Sequence, residues 1–187
     1  YDFEHVIGSS SVDTIYGNAA ANSLLGGASG DILYGYAGND ELYGEDGNDY
    51  LDGGIGTDIA DYSSSDAITV NLSLSSNQVV TGSYGTDTLS GIEVVVGSVA
   101  ADTFTGTNTT NDTFVGSGDN DTFIATKGDD KYYGGTVTFD ANGTVITHTA
   151  SGFDKVDYSS YSGKVLVDLS ASTATATKST DTITEGF

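Results

Sequence analysis

Apolar residues recur every nine positions along the first third of the chain. From Gly8 the sequence divides without a gap into six nonapeptides: GSSSVDTIY, GNAAANSLL, GGASGDILY, GYAGNDELY, GEDGNDYLD and GGIGTDIAD. The first position is always Gly, and the eighth holds Ile15, Leu24, Leu33, Leu42, Leu51 and Ala60. Nine residues are too few for a helix and its turn, but they fit a Gly-rich turn followed by a short strand. Two such units make one coil of a flattened solenoid, with two parallel sheets and the position-eight side chains between them.

The same pattern returns in the second half with looser spacing. Its units are GSVAADTFT from Gly97, GTNTTNDTFV from Gly106, GSGDNDTFI from Gly116 and ATKGDDKYY from Ala125. A fifth unit begins at Gly134 and resumes as GFDKVD at Gly152. Position eight is now Phe104, Phe114, Phe123, Tyr132 and Val156. The interruption at about 136–151 alternates apolar and polar residues around a DANG turn, which predicts a β-hairpin insertion.

Each block is followed by a related segment, so the chain is built twice on one plan. DYSSSDAITVNLS (61–73) resembles DYSSYSGKVLVDLS (157–170), and GTDTLSGIEVVVGS (85–98) resembles STDTITEGF (179–187). The alternation of Ile68, Val70 and Leu72 predicts a strand, as does that of Val165, Val167 and Leu169. We therefore predict an all-β parallel β-roll in two units. Residues 1–96 hold the repeats at 8–61, residues 97–187 hold those at 97–157, and each unit ends in a strand-rich segment.

The charge of the chain requires either disorder or bound cations. There are 27 Asp and Glu against five Lys and no Arg, for a formal net charge of −22. A compact acidic chain repels itself unless its charge is neutralised. The regular spacing of the apolar residues argues against disorder, so a fold with bound cations is favoured. The lack of a basic patch excludes nucleic acid as a partner. The sequence has no apolar run of about 18 residues, so it predicts no transmembrane segment.

An acidic residue at position six of the repeat supplies the candidate cation sites. Turns on one edge of the solenoid belong to repeats two apart, which stack at the spacing of neighbouring strands, about 4.8 Å. Carboxylates at this spacing repel one another unless a cation lies between them. A site in which every ligand is an oxygen atom suits Ca²⁺. The predicted partners are Asp13 with Asp31, Asp31 with Asp49, Asp40 with Asp58, Asp102 with Asp121, Asp112 with Asp130, and Asp121 with Asp154; Asn22 with Asp40 is a weaker pair because Asn has no charge.

Backbone carbonyls of the Gly-rich turns complete the predicted sites, which hold several calcium ions. The predicted ligand positions in the turns are Gly26, Ala28, Gly35, Ala37, Gly44, Gly47, Gly53, Gly56, Gly116 and Gly118. The side-chain ligands are Asp13, Asp31, Asp40, Asp49, Asp58, Asp102, Asp112, Asp121, Asp130 and Asp154.

The repeats at 26–61 resemble the G-G-x-G-x-D-x-U-x motif of RTX proteins, a Ca²⁺-binding repeat. This resemblance implies a bacterial protein exported by a type I system, unfolded at low cytosolic calcium and folding outside the cell. It also implies a mixed family that includes toxins, proteases, lipases, epimerases, adhesins and S-layer proteins.

Catalysis is not predicted for this chain. His5 and His148 are its only histidines and lie far apart in the sequence, and there is no Cys, nucleophile elbow or phosphate-binding loop. The leading hypothesis is an extracellular structural segment of an adhesin, surface layer or filament, stiffened by Ca²⁺. The alternatives are a folding and export module of a secreted protease or epimerase, and a ligand- or ice-binding solenoid.

The two ends of the chain predict end-to-end partners. FEHVIGSSSVDTIYG (3–17) follows the same plan as the internal IEVVVGSVAADTFTG (92–106), and the final STDTITEGF stops where such a continuation would begin. We therefore expect further copies or neighbouring repeats on either side, joined by a covalent connection or by assembly.

Overall fold

The computed structural model describes residues 3–73, 78–139, 145–149, 151–160, 165–168, 173–176 and 179–184. Within these ranges every regular element is a β-strand. His148 lies in the strand Val145–Thr149, where the backbone alone is described. The chain runs as a succession of short strands and turns whose spacing follows the nine-residue period.

The first block forms seven consecutive strands. They are β1 (His5–Ile7), β2 (Thr14–Tyr16), β3 (Ser23–Ala28), β4 (Ile32–Ala37), β5 (Glu41–Asp46), β6 (Tyr50–Ile55) and β7 (Ile59–Asp61). Four of them are six residues long, so they extend beyond the short strand that the repeat predicts. The strands extend because pairing resumes after the corner, as in Tyr36 with Gly54 and Gly27 with Glu45.

The segment between the blocks forms a meander and then rejoins the coil. Its strands are β8 (Thr69–Asn71), β9 (Gln78–Gly82), β10 (Gly85–Ser90) and β11 (Val94–Val96). Strand β9 is antiparallel to both β8 and β10, whereas β10 is parallel to β6 and β11 is parallel to β7. The meander therefore fills three positions of one sheet before the second block begins.

The second block and its following segment repeat this plan. The strands are β12 (Thr103–Thr105), β13 (Thr113–Val115), β14 (Thr122–Ile124), β15 (Lys131–Tyr133), β16 (Thr136–Phe139), β17 (Val145–Thr149), β18 (Lys155–Asp157), β19 (Val165–Asp168), β20 (Thr173–Ala176) and β21 (Ser179–Thr184). Strands β16 and β17 form a separate antiparallel pair at the insertion. Strands β19, β20 and β21 form a second antiparallel meander, with β21 parallel to β15.

Two sheets run through both blocks. One has the order β1-β3-β5-β7-β11-β13-β15-β21-β20-β19, and the other has the order β18-β14-β12-β8-β9-β10-β6-β4-β2. Strands two apart in the sequence are neighbours in parallel register, for example Leu33 with Leu51. This arrangement confirms the predicted parallel β-roll. The two blocks are units of sequence, because the sheets continue across residues 96–97 without a break.

The core is a single column of side chains between the sheets. Leu24, Leu33, Leu42 and Leu51 are fully buried in the first half, and Phe104, Phe114 and Phe123 replace them in the second. The rings of Phe104 and Phe123 stack with their centroids 5.0 Å apart. Each strand contributes about one core side chain, so the apolar surface buried per ordered residue is small compared with the chain entropy that opposes folding.

A second, smaller apolar cluster lies on the outer face of the ten-stranded sheet. Val96, Val115 and Tyr133 are buried there, and Val137 and Phe139 of β16 pack against them. The inserted hairpin thus covers one face of the solenoid, while β18 keeps its place beside β14.

Candidate calcium sites in the turns

The position-six residues of the first block form a hydrogen-bonded ladder along each edge of the solenoid. The backbone N–H of Asp31 donates to Oδ1 of Asp49 at 2.7 Å, and that of Asp40 donates to Oδ1 of Asp58 at 2.8 Å. Asp13 donates in the same way to Asp31, and Asn22 to Asp40. The structure therefore brings these predicted partners together, and all but Asp13 are buried.

The second block repeats the ladder. Asp102 donates to Oδ1 of Asp121 at 2.8 Å, and Asp112 donates to Oδ1 of Asp130 at 3.0 Å. Asp121 donates to Oδ1 of Asp154 at 2.8 Å, although 33 residues separate them. The inserted hairpin accounts for this longer step and leaves the spatial stacking unchanged.

Two further members of the ladder do not follow from the contiguous repeats. The N–H of Asp49 donates to Oδ1 of Asp87 at 2.9 Å, and that of Asp58 donates to Oε2 of Glu93 at 2.9 Å. A sequence signal is present for the first, because GSYGTDTLS at 82–90 has Gly, Asp and Leu at positions one, six and eight. This unit stands apart from the other repeats because it follows β8 and β9, so a search for contiguous repeats misses it.

The second carboxylate oxygen divides the turns into two kinds. In the first kind, Oδ2 is buried and accepts no hydrogen bond from the described part of the chain; this group is Asp31, Asp40, Asp49, Asp58, Asp121 and Asp154. In the second kind, the N–H at position two of the turn donates to this oxygen. Ser98 donates to Asp102 at 2.7 Å, Thr107 donates to Asp112 at 2.6 Å, and Ser9 makes the same bond to Asp13.

Backbone conformation at position two explains the difference. The residue there has a positive φ in five of the six turns of the first kind, at Gly27, Tyr36, Glu45, Gly54 and Ser117. With that rotation the N–H does not bond to Oδ2. A positive φ in a non-glycine residue costs on the order of 1–3 kcal/mol and persists only where something compensates for it. The turns with Tyr36, Glu45 and Ser117 at position two therefore hold an unpartnered carboxylate oxygen beside a strained residue, an arrangement that a bound cation would stabilise.

Burial disfavours the charged form of these carboxylates when no cation is present. Burial raises the pKa of Asp49 to about 7 and that of Asp121 to about 7, although a backbone N–H bond partly opposes the shift in each. Burial likewise raises the pKa of Asp58 to about 6, with Asp40 and Glu93 adding repulsion. A carboxylate that is buried beside other carboxylates is a poor place for a negative charge unless a positive ion binds there.

The donor set fits Ca²⁺. At Gly26, the point where a Cβ would stand lies 2.6 Å from Oδ2 of Asp31 and 2.9 Å from the carbonyl oxygen of Gly44, so the two oxygens face a space that only glycine leaves open. Gly35, Gly44, Gly53 and Gly116 lie in the same way beside the carboxyl group of the Asp in their own turn. Carboxylate and carbonyl oxygens are the ligands of a hard cation that takes six to eight oxygens. Among the described residues, no group of three or more His, Cys, Asp or Glu side chains could hold a metal ion by itself.

Comparison with known families gives the same assignment. The profile described as RTX calcium-binding nonapeptide repeat (4 copies) matches residues 3–33, 25–60 and 106–136. The chain contains RTX calcium-binding nonapeptide repeats. A search of curated proteins finds no match to it.

The RTX turns differ in how well they suit calcium. Asp31, Asp40, Asp49 and Asp58 share the free Oδ2 and the positive φ, so the site is most regular in the first block. In the second block Asp121 has both features, whereas both carboxylate oxygens of Asp112 are bonded within its own turn, to the N–H of Thr107 and the hydroxyl of Thr110. Oδ2 of Asp130 accepts from Thr126 and Tyr132. Asn22 has a buried amide nitrogen, Nδ2, without a partner among the described residues, and a nitrogen donor does not bind a cation.

The other predicted turn positions lie at the same edges. Ala28 and Ala37 end β3 and β4. The point where a Cβ would stand on Gly47 lies 2.9 Å from Oδ1 of Asp49, and the same point on Gly56 lies 3.1 Å from Oδ1 of Asp58. Gly118 lies beside the carbonyl of Val99 in the neighbouring coil. Their role as calcium ligands remains a prediction.

Of the two histidines, only the side chain of His5 lies in the part of the chain that the structure describes. His5 is exposed at the end of the ten-stranded sheet. No helix with the length and apolar character of a membrane span occurs in the part of the chain that the structure describes. The RTX repeat is a non-catalytic calcium-binding module, and the chemistry available in its turns is cation binding.

The two kinds of turn predict unequal effects of removing a carboxylate. Asp49→Ala takes away a free Oδ2 and the acceptor for the Asp31 N–H, and should lower the amount of bound Ca²⁺ and the β-structure strongly. Asp112→Ala removes a carboxylate that is already bonded within its turn, and should cost less of both. Equilibrium calcium titration followed by circular dichroism measures the two losses. Equal loss of bound calcium in the two variants would contradict the grading.

Proposed function

We propose that this chain is an extracellular, calcium-stiffened structural segment of a bacterial surface layer, adhesin or filament, and that it performs no catalysis. The observation that carries the proposal is the ladder of position-six residues along the edges of the solenoid. It links Asp13, Asp31, Asp49 and Asp87 on one edge, and Asn22, Asp40, Asp58 and Glu93 on the other.

The placement of these sites gives calcium a mechanical role. Each carboxylate joins one coil to the next through the N–H bond to Oδ1, and a cation held by Oδ2 would add a second link between neighbouring turns. The apolar core is one side chain wide, and each coil contacts only its neighbours, as in other solenoids. The resistance of the stack to extension therefore depends on the bonds between successive turns, and calcium adds to those bonds at both edges.

The composition supports a location with abundant calcium. With a formal net charge of −22, the chain folds against its own repulsion unless cations bind. Millimolar calcium outside the cell satisfies sites of about 10⁻⁴–10⁻³ M affinity, which is the range of extracellular modules. RTX repeat proteins are typically secreted, and the proposed site of action of this chain is the bacterial cell surface.

Force spectroscopy tests the structural role directly. A single chain tethered through both ends should resist extension in millimolar Ca²⁺ and give way in discrete steps as coils unfold. In chelator it should extend as a coil without steps. Asp49→Asn serves as a matched variant, since it keeps the side-chain shape and removes the charge; its force in calcium should be lower. Identical curves with and without calcium would defeat the proposal.

A further inference from the structure

The turn that joins the meander to β11 is a shortened form of the repeat. The unit here is GIEVVV at 91–96, where the contiguous repeats have nine residues. In those repeats the position-six residue stands five places after the first glycine, whereas Glu93 stands two places after Gly91. The acidic side chain is also one methylene group longer, because it is Glu rather than Asp. A search for the nine-residue period therefore passes over this unit.

The shortened turn nevertheless occupies the next place in the stack. Strand β10 before it is parallel to β6, and strand β11 after it is parallel to β7. The carbonyl of Gly91 accordingly lies beside Gly53, the first residue of the neighbouring turn. The N–H of Asp58 donates to Oε2 of Glu93 at 2.9 Å, as the N–H of Asp40 donates to Oδ1 of Asp58 at 2.8 Å. Glu93 thus takes the position-six place in the ladder.

The oxygen atoms at this turn are arranged as in the candidate calcium sites of the contiguous repeats. The point where a Cβ would stand on Gly35 lies beside Oδ2 of Asp40 and 2.7 Å from the carbonyl oxygen of Gly53. On Gly53 the same point lies 2.7 Å from Cγ of Asp58 and also faces the carbonyl oxygen of Gly91. Oδ2 of Asp58 is buried and has no hydrogen-bond partner among the described residues. Gly91 therefore offers Asp58 the carbonyl oxygen that Gly53 offers Asp40.

The negative charge at this turn requires a positive partner. Asp40 and Glu93 both repel a negative charge on Asp58. The chain has no arginine and no lysine before Lys127, so the sequence around this turn supplies no cationic side chain. Buried carboxylates that lie close together are stable as anions only where a cation binds them.

We propose that a calcium ion binds between Oδ2 of Asp58, the carbonyl oxygen of Gly91 and the carboxylate of Glu93. Carboxylate and carbonyl oxygens are the ligands that Ca²⁺ prefers. The ion at this Glu93 site joins residues from either side of the meander, since Asp58 directly precedes β7 and Glu93 directly precedes β11. It therefore holds the strand that leads into the second half of the chain against the last strand of the first block.

The other edge of the solenoid closes in a different way at this level. The ladder there reaches Asp87, whose Oδ2 accepts a hydrogen bond of 2.9 Å from the buried hydroxyl of Tyr62. The adjacent strand β9 is antiparallel to β10, so it does not continue the ladder. On the edge of the Glu93 site, β11 pairs directly with β13, and Thr113 donates to the carbonyl of Glu93. The proposed ion thus lies on the edge where stacked turns connect the two halves.

The Glu93 site does not depend on the mechanical role proposed for the chain. It depends on the free oxygen of Asp58 and the placement of Gly91 and Glu93 beside it. Counting bound ions tests the site, whereas force spectroscopy tests the mechanical role.

Glu93→Gln removes the charge and keeps both the side-chain length and an oxygen that accepts from Asp58. Equilibrium dialysis, at the calcium concentration that just saturates the unsubstituted protein, should find one ion fewer per chain. Glu41→Gln is the matched control, because Glu41 begins β5 outside the ladder, and it should leave the ion count unchanged. The double variant of Glu93→Gln with Asp58→Asn should lose no more ions than Asp58→Asn alone, since both residues bind the same ion.

Amide hydrogen exchange locates the effect of the substitution. Val94 donates its N–H to the carbonyl of Asp58 at 3.0 Å. Loss of the ion should therefore speed exchange at residues 92–96 in calcium and leave residues 24–51 unchanged, because local opening follows local stability. Glu93→Asp keeps the charge on a shorter side chain, so it should recover the ion at lower affinity and slow the exchange again.

The ion count decides the outcome. A folded Glu93→Gln variant with an unchanged count would overturn the site, as would losses that add in the double variant. If Glu93→Gln does not fold in calcium, a folded Glu93→Asp with the full count supports the site. Failure of both variants to fold overturns it, because side-chain length rather than charge then decides folding. An unsubstituted chain that binds its ions but gives the same force curve without calcium would defeat the mechanical role and leave the Glu93 site intact.

Discussion

Removal of calcium is expected to unfold most of this chain. Six buried carboxylates have an oxygen without a hydrogen-bond partner among the described residues, and the net charge is −22. Leaving a buried charge unpaired is costly, and the narrow core does not offset that cost. Binding of the metal therefore supplies the free energy of folding. Far-UV circular dichroism should show a coil in chelator and a β-rich spectrum in millimolar Ca²⁺.

Magnesium provides the control for this experiment. Mg²⁺ has the same charge as Ca²⁺ but demands near-ideal octahedral geometry and loses its water reluctantly. At equal ionic strength it should restore little of the β signal, which separates specific ligation from general screening of the acidic chain. A β-rich spectrum that persists after exhaustive chelation would contradict the expected dependence.

Lowering the pH is expected to stabilise the metal-free fold, because protonation removes part of the buried negative charge that calcium would otherwise neutralise. Burial raises the pKa of Asp49 and Asp121 to about 7 and that of Asp58 to about 6, from an ordinary value of 3.8. Because the pKa is higher in the folded chain, the stability of the metal-free fold is fully present below about 3.8. It is lost as pH rises through about 6 to 7. Metal-free protein should thus gain β-structure and thermal stability when the pH is lowered from about 8 to 5.

With calcium present, the pH dependence is expected to have the opposite sign. Protons compete with the cation for the same carboxylates, so the apparent calcium affinity should rise with pH over the same range. Asp49→Asn offers a matched control, since it cannot titrate; it should stabilise the metal-free fold near neutral pH while weakening calcium binding. Thermal melts of dialysed protein across the pH series measure both effects. A metal-free chain more stable at about pH 8 than at about pH 5 would refute the explanation.

The nine-residue period was sufficient to predict the parallel β-roll, the core and the stacked pairs. Three columns of Gly, Asp and apolar residues remain in phase from Gly8 to Asp61, and each column has one structural role. Residues two repeats apart became neighbours because a coil contains two repeats. The aromatic column of the second block could likewise be placed in the core by position alone.

The quality of each site could not be predicted, because it depends on backbone rotation. Tyr36 and Glu45 have a positive φ at position two, whereas Ser9 and Ser98 donate their N–H to the carboxylate of their own turn. Nothing in the residue type of Tyr or Glu favours a positive φ. The nine-residue period could not predict the meander either. Antiparallel pairing of β9 separates the repeat at 82–90 from the contiguous repeats at 8–61.

The two sheets hold unequal numbers of strands, which gives the described stack a half-integral number of coils. The described strands number ten in one sheet and nine in the other, so the stack ends half a coil from where it began. Strand β1 stands at the edge of the ten-stranded sheet, whereas β18 stands at the opposite extreme, at the edge of the nine-stranded sheet. The two extremes of the described stack are therefore related by a half-turn about its long axis, modified by sheet twist.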